Sequence, residues 1–165
     1  MRRPLMPHPL SAALLLALAA CSPTAGEAAP AKPAAEIHAV SGLRVVPLVV
    51  THGAQRFTFR VEVARTDQEQ AKGLMFRSTL GADEGMIFPM IPARDASFWM
   101  RNTLIPLDII FVGRDGRISN IAANAVPYDE TPLSSIGPVK AVLELNGGRA
   151  AALGITAGDK VEWSH

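Results

Sequence analysis

Phe57-Thr58-Phe59-Arg60-Val61-Glu62-Val63 alternates without a break, with aromatic and valine side chains on one parity and polar ones on the other. A period of two over such a stretch is the pattern of an antiparallel strand with one face on a core and one in water. Just downstream, Thr66-Asp67-Gln68-Glu69 forms a capping box, in which the Thr66 side chain serves the Glu69 amide and the Glu69 side chain reaches back. The box opens a helix over about 66–77, with Ala71, Leu74 and Met75 stacked on one side. Gly73 inside that helix costs about 1 kcal/mol against alanine, which implies close backbone packing there.

Working outward, Leu43–Val50 (LRVVPLVV) is β-branched, but Pro47 removes a ladder donor and assigns it to an edge. Gly85–Pro89, Ser97–Met100, Leu107–Val112, Ile118–Ala123, Lys140–Leu145 and Val161–Trp163 read as further strands. Gly113–Gly116 is a hairpin loop, Asn124–Pro138 is a loop punctuated by three prolines, and Gly148–Leu153 is at most two helical turns. Seven or eight short strands with one substantial helix predict a mainly β (α+β) fold, an antiparallel β-sandwich or partly closed barrel.

The chain has 165 residues, room for a single ordinary domain. Hydrophobic residues are 48% and charged residues 19%, which excludes a disordered polyelectrolyte. A single cysteine, Cys21, excludes an internal disulfide framework and a cysteine-based zinc cluster. The formal charge of +1, with no clustered basic face, argues against a nucleic-acid partner.

Residues 1–20 read as an address. Arg2 and Arg3 precede the apolar run Leu10–Ala20, which is too short to span a hydrocarbon core of about 30 Å and suits a signal-peptide h-region. The run ends in Leu18-Ala19-Ala20-Cys21, which resembles the bacterial lipobox, where the cysteine is lipidated and everything before it is removed. The expectation is a lipoprotein of the bacterial cell envelope that faces the periplasm and meets the membrane through lipid on Cys21. Ser22 stands where an inner-membrane retention signal usually shows aspartate, which favours the outer membrane. Removal of Arg2 and Arg3 takes the formal charge from +1 to −1, so the basic balance belongs to the signal segment. Residues 21–42 are Ala/Pro-rich and read as a tether, leaving a folded domain over 43–165.

Six segments then resemble, in order, the signatures of the domain-of-unknown-function family DUF192. They are Lys72–Arg77, Gly85–Phe88, Phe98–Thr103, Pro106–Phe111, Val142–Gly148 and Gly154–Asp159. The likeness runs from about Phe57 to Val161, with Arg101 where lysine is common. It implies a compact, mainly antiparallel β domain and no particular reaction, so no catalytic residue is carried over from it.

The chemistry-bearing residues are therefore read on their own. Asp108 opens LDIIFV, a strand apolar on both faces, and shares parity with Ile110 and Val112. A carboxylate so placed needs a partner, for which Arg77, Arg101 or the amides near Asn102-Thr103 are candidates. It reads either as part of a binding cleft or, the commoner outcome, as a satisfied structural carboxylate. Glu144, between Leu143 and Leu145, is either a rim residue or the second acid of a pair with Asp108. Such a pair held about 5–9.5 Å apart can hydrolyse glycosides. Trp99, followed by Arg101 and Asn102, is either a core residue or a platform for a sugar or flat ligand.

Met75, Met86, Met90 and Met100 are gap-fillers in a core or, less commonly, thioether ligands for Cu(I). No cofactor is implied, and the histidines show no site-like spacing. The sequence thus favours a lipid-anchored binding or interaction module for a small molecule, glycan or protein. Its ligand candidates are Arg77, Trp99, Arg101, Asn102 and Asp108. An acid/base hydrolase of envelope polymers using Asp108 and Glu144 is the alternative.

Overall fold

The computed structural model describes residues 36–164. Residues 1–35, with the signal segment, Cys21 and most of the tether, lie outside the described residues. Among the described residues no helix is long and apolar enough to cross a membrane.

Among the described residues, ten strands and two short helices follow in the order β1 (Glu36–Ile37), β2 (Arg44–His52), β3 (Gln55–Val63), α1 (Asp67–Lys72), β4 (Glu84–Arg94) and β5 (Ser97–Phe98). Then come β6 (Leu107–Gly113), β7 (Ile118–Ala125), β8 (Leu133–Ser134), β9 (Val139–Asn146), α2 (Arg149–Leu153) and β10 (Lys160–Trp163). The main sheet runs β1-β2-β3-β4-β9-β6-β7, with β10 also on β2, while β5 and β8 form a separate ribbon. The fold is mainly β, as expected. Every pair is antiparallel except β3 with β4, which lie parallel because the chain crosses over through α1.

Several local expectations are corrected. β2 is no edge: β3 covers one side, and on the other β1 pairs Arg44 and Val45 while β10 pairs Leu48 to Thr51. Pro47 sits in the gap between those two short partners, where its missing N–H costs no ladder bond. β1 lies upstream of Leu43, within the stretch read as tether, and an ion pair between Glu36 and Arg60 fastens it to β3. The capping box at Thr66 and Glu69 is present, but α1 stops at Lys72 instead of running to about 77. Gly73 is its C-cap at φ +47°, a conformation few L-residues adopt, and not a helix-interior glycine. Leu133–Ser134 lies within the stretch read as loop; a two-residue strand has no period to detect.

The sheet curls so that β10 meets the β6–β7 hairpin. Arg117 bridges Lys160, and the Ile118 amide donates to the Asp159 carbonyl at 2.8 Å, without closing a barrel. Inside the curl, Leu48, Val50, Phe59, Val61, Ile110 and Leu143 belong to one core cluster. The opposite face of β4, β9 and β6 carries a second, with Met86, Phe88, Ile109, Phe111 and Val142, covered by Leu74, Ala96 and Met100. The central strands are therefore buried on both faces, and a cleft opens in the cover of the second face.

Candidate functional site

Parity along β9 sends Ala141, Leu143 and Leu145 into the first core, so Glu144 points to the second face. Its cross-strand neighbours are Met86 on β4 and Ile109 on β6. The carboxyl thus stands between two apolar side chains, with the residue only 5% exposed. Among the described residues no hydrogen bond or ion pair reaches it, and burial alone pushes it up to about 8. At neutral pH it is mostly the protonated acid, able to donate as well as accept.

Above it lies a cleft of about 350 Å³ with Glu144 in its lining. Leu74, Met75, Phe88, Met90 and Phe98 supply apolar walls. Phe98 stands edge-on to Phe88, with ring centroids 5.1 Å apart. Lys72, Arg94, Asp95 and Trp99 are exposed residues of the same lining. A concavity with apolar walls, a polar rim and one buried ionisable group is an arrangement found in small-ligand sites.

The sequence candidates divide on this geometry. Trp99, 49% exposed, is on the solvent side of the cleft lining and has the Arg101 guanidinium 5.8 Å from its ring centroid. Arg101 also lies 3.9 Å from Glu130. Asn102 places its Nδ2 3.9 Å from the Met75 Sδ and holds φ +55°, its carbonyl accepting from the Phe76 amide. Neither Arg101 nor Asn102 lines the cleft, whereas the next residue, Thr103, does.

Arg77 is elsewhere. Its Nη2 donates to both carboxylate oxygens of Glu62, at 2.9 and 2.8 Å, beside a second cleft of about 340 Å³ that shares Lys72, Gly73 and Met75 with the first. The alternation places Glu62 on a wet face, but Arg77 and His38 cover it.

Asp108 is wholly buried and lines neither of these two clefts. Its Oδ1 accepts from the amides of Asn124 at 2.8 Å and Gly148 at 2.9 Å, and its Oδ2 from that of Ala150 at 2.7 Å. It is the satisfied structural carboxylate, but its donors are none of those foreseen. It caps α2 from outside, where Gly148 offers no side chain. The pairing of Asp108 with Glu144 fails. Glu144 stands opposite Ile109, one residue along, so the two acids point to opposite faces of the sheet.

Met86, Met90 and Met100 are buried in the second core cluster among apolar side chains, which is packing. Met75 lines both clefts. Among the described residues no group of three or more His, Cys, Asp or Glu is placed to hold a metal.

The family model for DUF192, described as an uncharacterized ACR, matches residues 48–163. The chain belongs to the DUF192 family. A crystal structure from Novosphingobium aromaticivorans DSM 12444, described as a protein of unknown function, is 64% identical, with a TM-score of 0.77 over 86% of this chain and 99% of that one. A second, from Sinorhizobium meliloti 1021 and described as a "putative transcription regulator", is 35% identical, with a TM-score of 0.71 over 73% of this chain and 95% of that one. None of the curated proteins matches.

The DUF192 signature segments read in the sequence converge on the first cleft. Lys72–Met75, Phe88, Phe98, Trp99, Thr103 and Glu144 come from four of them. Arg94 and Asp95 lie between signatures, an ordinary charged pair at and just past the exposed end of β4, with no sequence pattern to mark them.

Proposed function

We propose that this chain is a binding module of the bacterial cell envelope that takes a small ligand into the Glu144 cleft. One observation carries the reading. A carboxyl buried between Met86 and Ile109 without a partner weakens the fold, and a ligand that offers it a hydrogen bond offsets that cost. Asp108, by contrast, has its partners built in. With Asp108 on the opposite face, hydrolysis by that acid pair has no geometric support. The regulator description of the Sinorhizobium protein is not carried over, because this sequence sets 16 basic residues against 15 acidic ones and gathers no basic run.

A small-fragment screen by amide NMR tests the cleft. Hits are expected to shift the signals of Gly73, Ser97, Phe98 and Trp99 and to be lost in Ala71→Trp, which fills the cleft from the exposed side of α1. Hits that map elsewhere, or that survive Ala71→Trp, would refute the reading.

The envelope address rests on Leu18-Ala19-Ala20-Cys21. Acyl chains contribute about 0.8 kcal/mol per buried methylene, so several hold a domain at a membrane durably. Labelled palmitate should enter the wild type and not Cys21→Ser, and a soluble, unlabelled wild type would remove the anchor.

A further inference from the structure

The cleft binds, on the reading above, but its floor narrows what it binds. A ligand anion is repelled by an ionised Glu144 and at best shares its proton. A hydroxyl or amide can both accept from and donate to the protonated acid, but only through neutral hydrogen bonds. An ammonium recovers a charge-assisted hydrogen bond and the attraction of opposite charges at a residue only 5% exposed. The walls are compatible with the same group: the aromatic residues Phe88, Phe98 and Trp99 line the cleft, and the Trp99 ring already lies 5.8 Å from one cation, the Arg101 guanidinium. Leu74, Met75 and Met90 add apolar surface that calls for an apolar body on the ligand.

The other charged groups do not oppose this. The strands beside Glu144 face it with Met86 and Ile109, both uncharged. Among the described residues the cover brings Lys72 on α1 and Arg94 with Asp95 at the end of β4, and Arg101 lies 5.8 Å from the Trp99 ring with Glu130 3.9 Å from it; all five are exposed and so screened by solvent and salt.

We propose that the Glu144 cleft seats the ammonium group of an amphipathic amine, with Phe88, Phe98 and Trp99 around it and the apolar body along Leu74, Met75 and Met90. This rests on the binding role assigned above. Since burial keeps Glu144 protonated near neutrality, seating the ammonium expels that proton. Amine binding therefore strengthens with pH until the carboxyl is ionised, and alkyl ammonium groups stay charged to about pH 10.

Tryptamine and its neutral isostere tryptophol are the probes, titrated into the purified protein with binding mapped by amide NMR. Tryptamine is expected to bind at least tenfold tighter at pH 8.5, its affinity rising nearly tenfold per pH unit between 6 and 7, with the preference lost in Glu144→Gln. Calorimetry on the wild type at pH 7, in buffers of different ionisation enthalpy, gives a readout that needs no variant. Close to one proton should leave per amine bound. Equal binding of both probes in the cleft, or no proton release, overturns the ammonium assignment and leaves the cleft as a site. If neither probe moves the signals of Gly73, Ser97, Phe98 and Trp99, the ammonium assignment falls, and the fragment screen alone then decides whether the cleft binds at all.

Discussion

Two buried carboxyl groups on neighbouring strands have opposite fates. Asp108 meets three backbone amides brought from the end of β7 and the start of α2. Asparagine in its place has one carbonyl oxygen and turns an amide N–H₂ toward a backbone donor. Asp108→Asn should therefore destabilise by roughly 2–4 kcal/mol at pH 7, measured by urea unfolding. A change within about 0.5 kcal/mol would mean those amides are not what holds Asp108. The need for a partner was legible from the apolar run LDIIFV. The identity of the donors was not, because Asn124, Gly148 and Ala150 are 16, 40 and 42 residues away along the chain. Glu144 shows the same limit. Its parity was readable in KAVLEL, but only the pairing with Ile109 separates it from Asp108.

Among the elements, strands with strict alternation and the helix with a capping box stood out in the sequence, since both patterns are local. What failed was long-range or short. Pro47 signalled an edge, yet it falls where β1 ends and β10 begins. β1, β5 and β8, at two residues each, exist because of what they pair with. Close approach of β4 and β9 depends on Gly85, where an added Cβ would lie 2.4 Å from the Glu144 carbonyl oxygen and 2.8 Å from Leu145 Cδ2. Backbone cannot yield as a side-chain tip can, so Gly85→Ala should push the strands apart and destabilise by about 1–3 kcal/mol. It should also shift the Met86–Glu144 pair next to it, visible as changed amide signals along the cleft floor. An alanine variant as stable as wild type would contradict this packing. At the start of α1, Thr66→Ala removes the acceptor for the Glu69 amide and should cost about 1 kcal/mol by the same measurement, whereas Thr66→Ser should be near neutral.

The described part of the molecule is a curled sheet with a core on each face, and it spends some stability to keep an acid under one of its covers. The direction of the pH dependence follows from that. Burial raises the Glu144 carboxyl from an ordinary value of 4.5 to about 8, so between those values the folded chain holds a proton that the unfolded chain releases. That contribution is full below pH 4.5 and is lost progressively up to about 8. The direct measurement is the unfolding free energy of wild type and Glu144→Gln at pH 5 and at pH 8.5. Glutamine has nearly the same shape and never ionises, so the variant should gain on wild type by roughly 2–4 kcal/mol between the two pH values. A variant less stable than wild type by the same margin at both would show that Glu144 is a structural carboxylate like Asp108, and the cleft would lose the group that makes it a site.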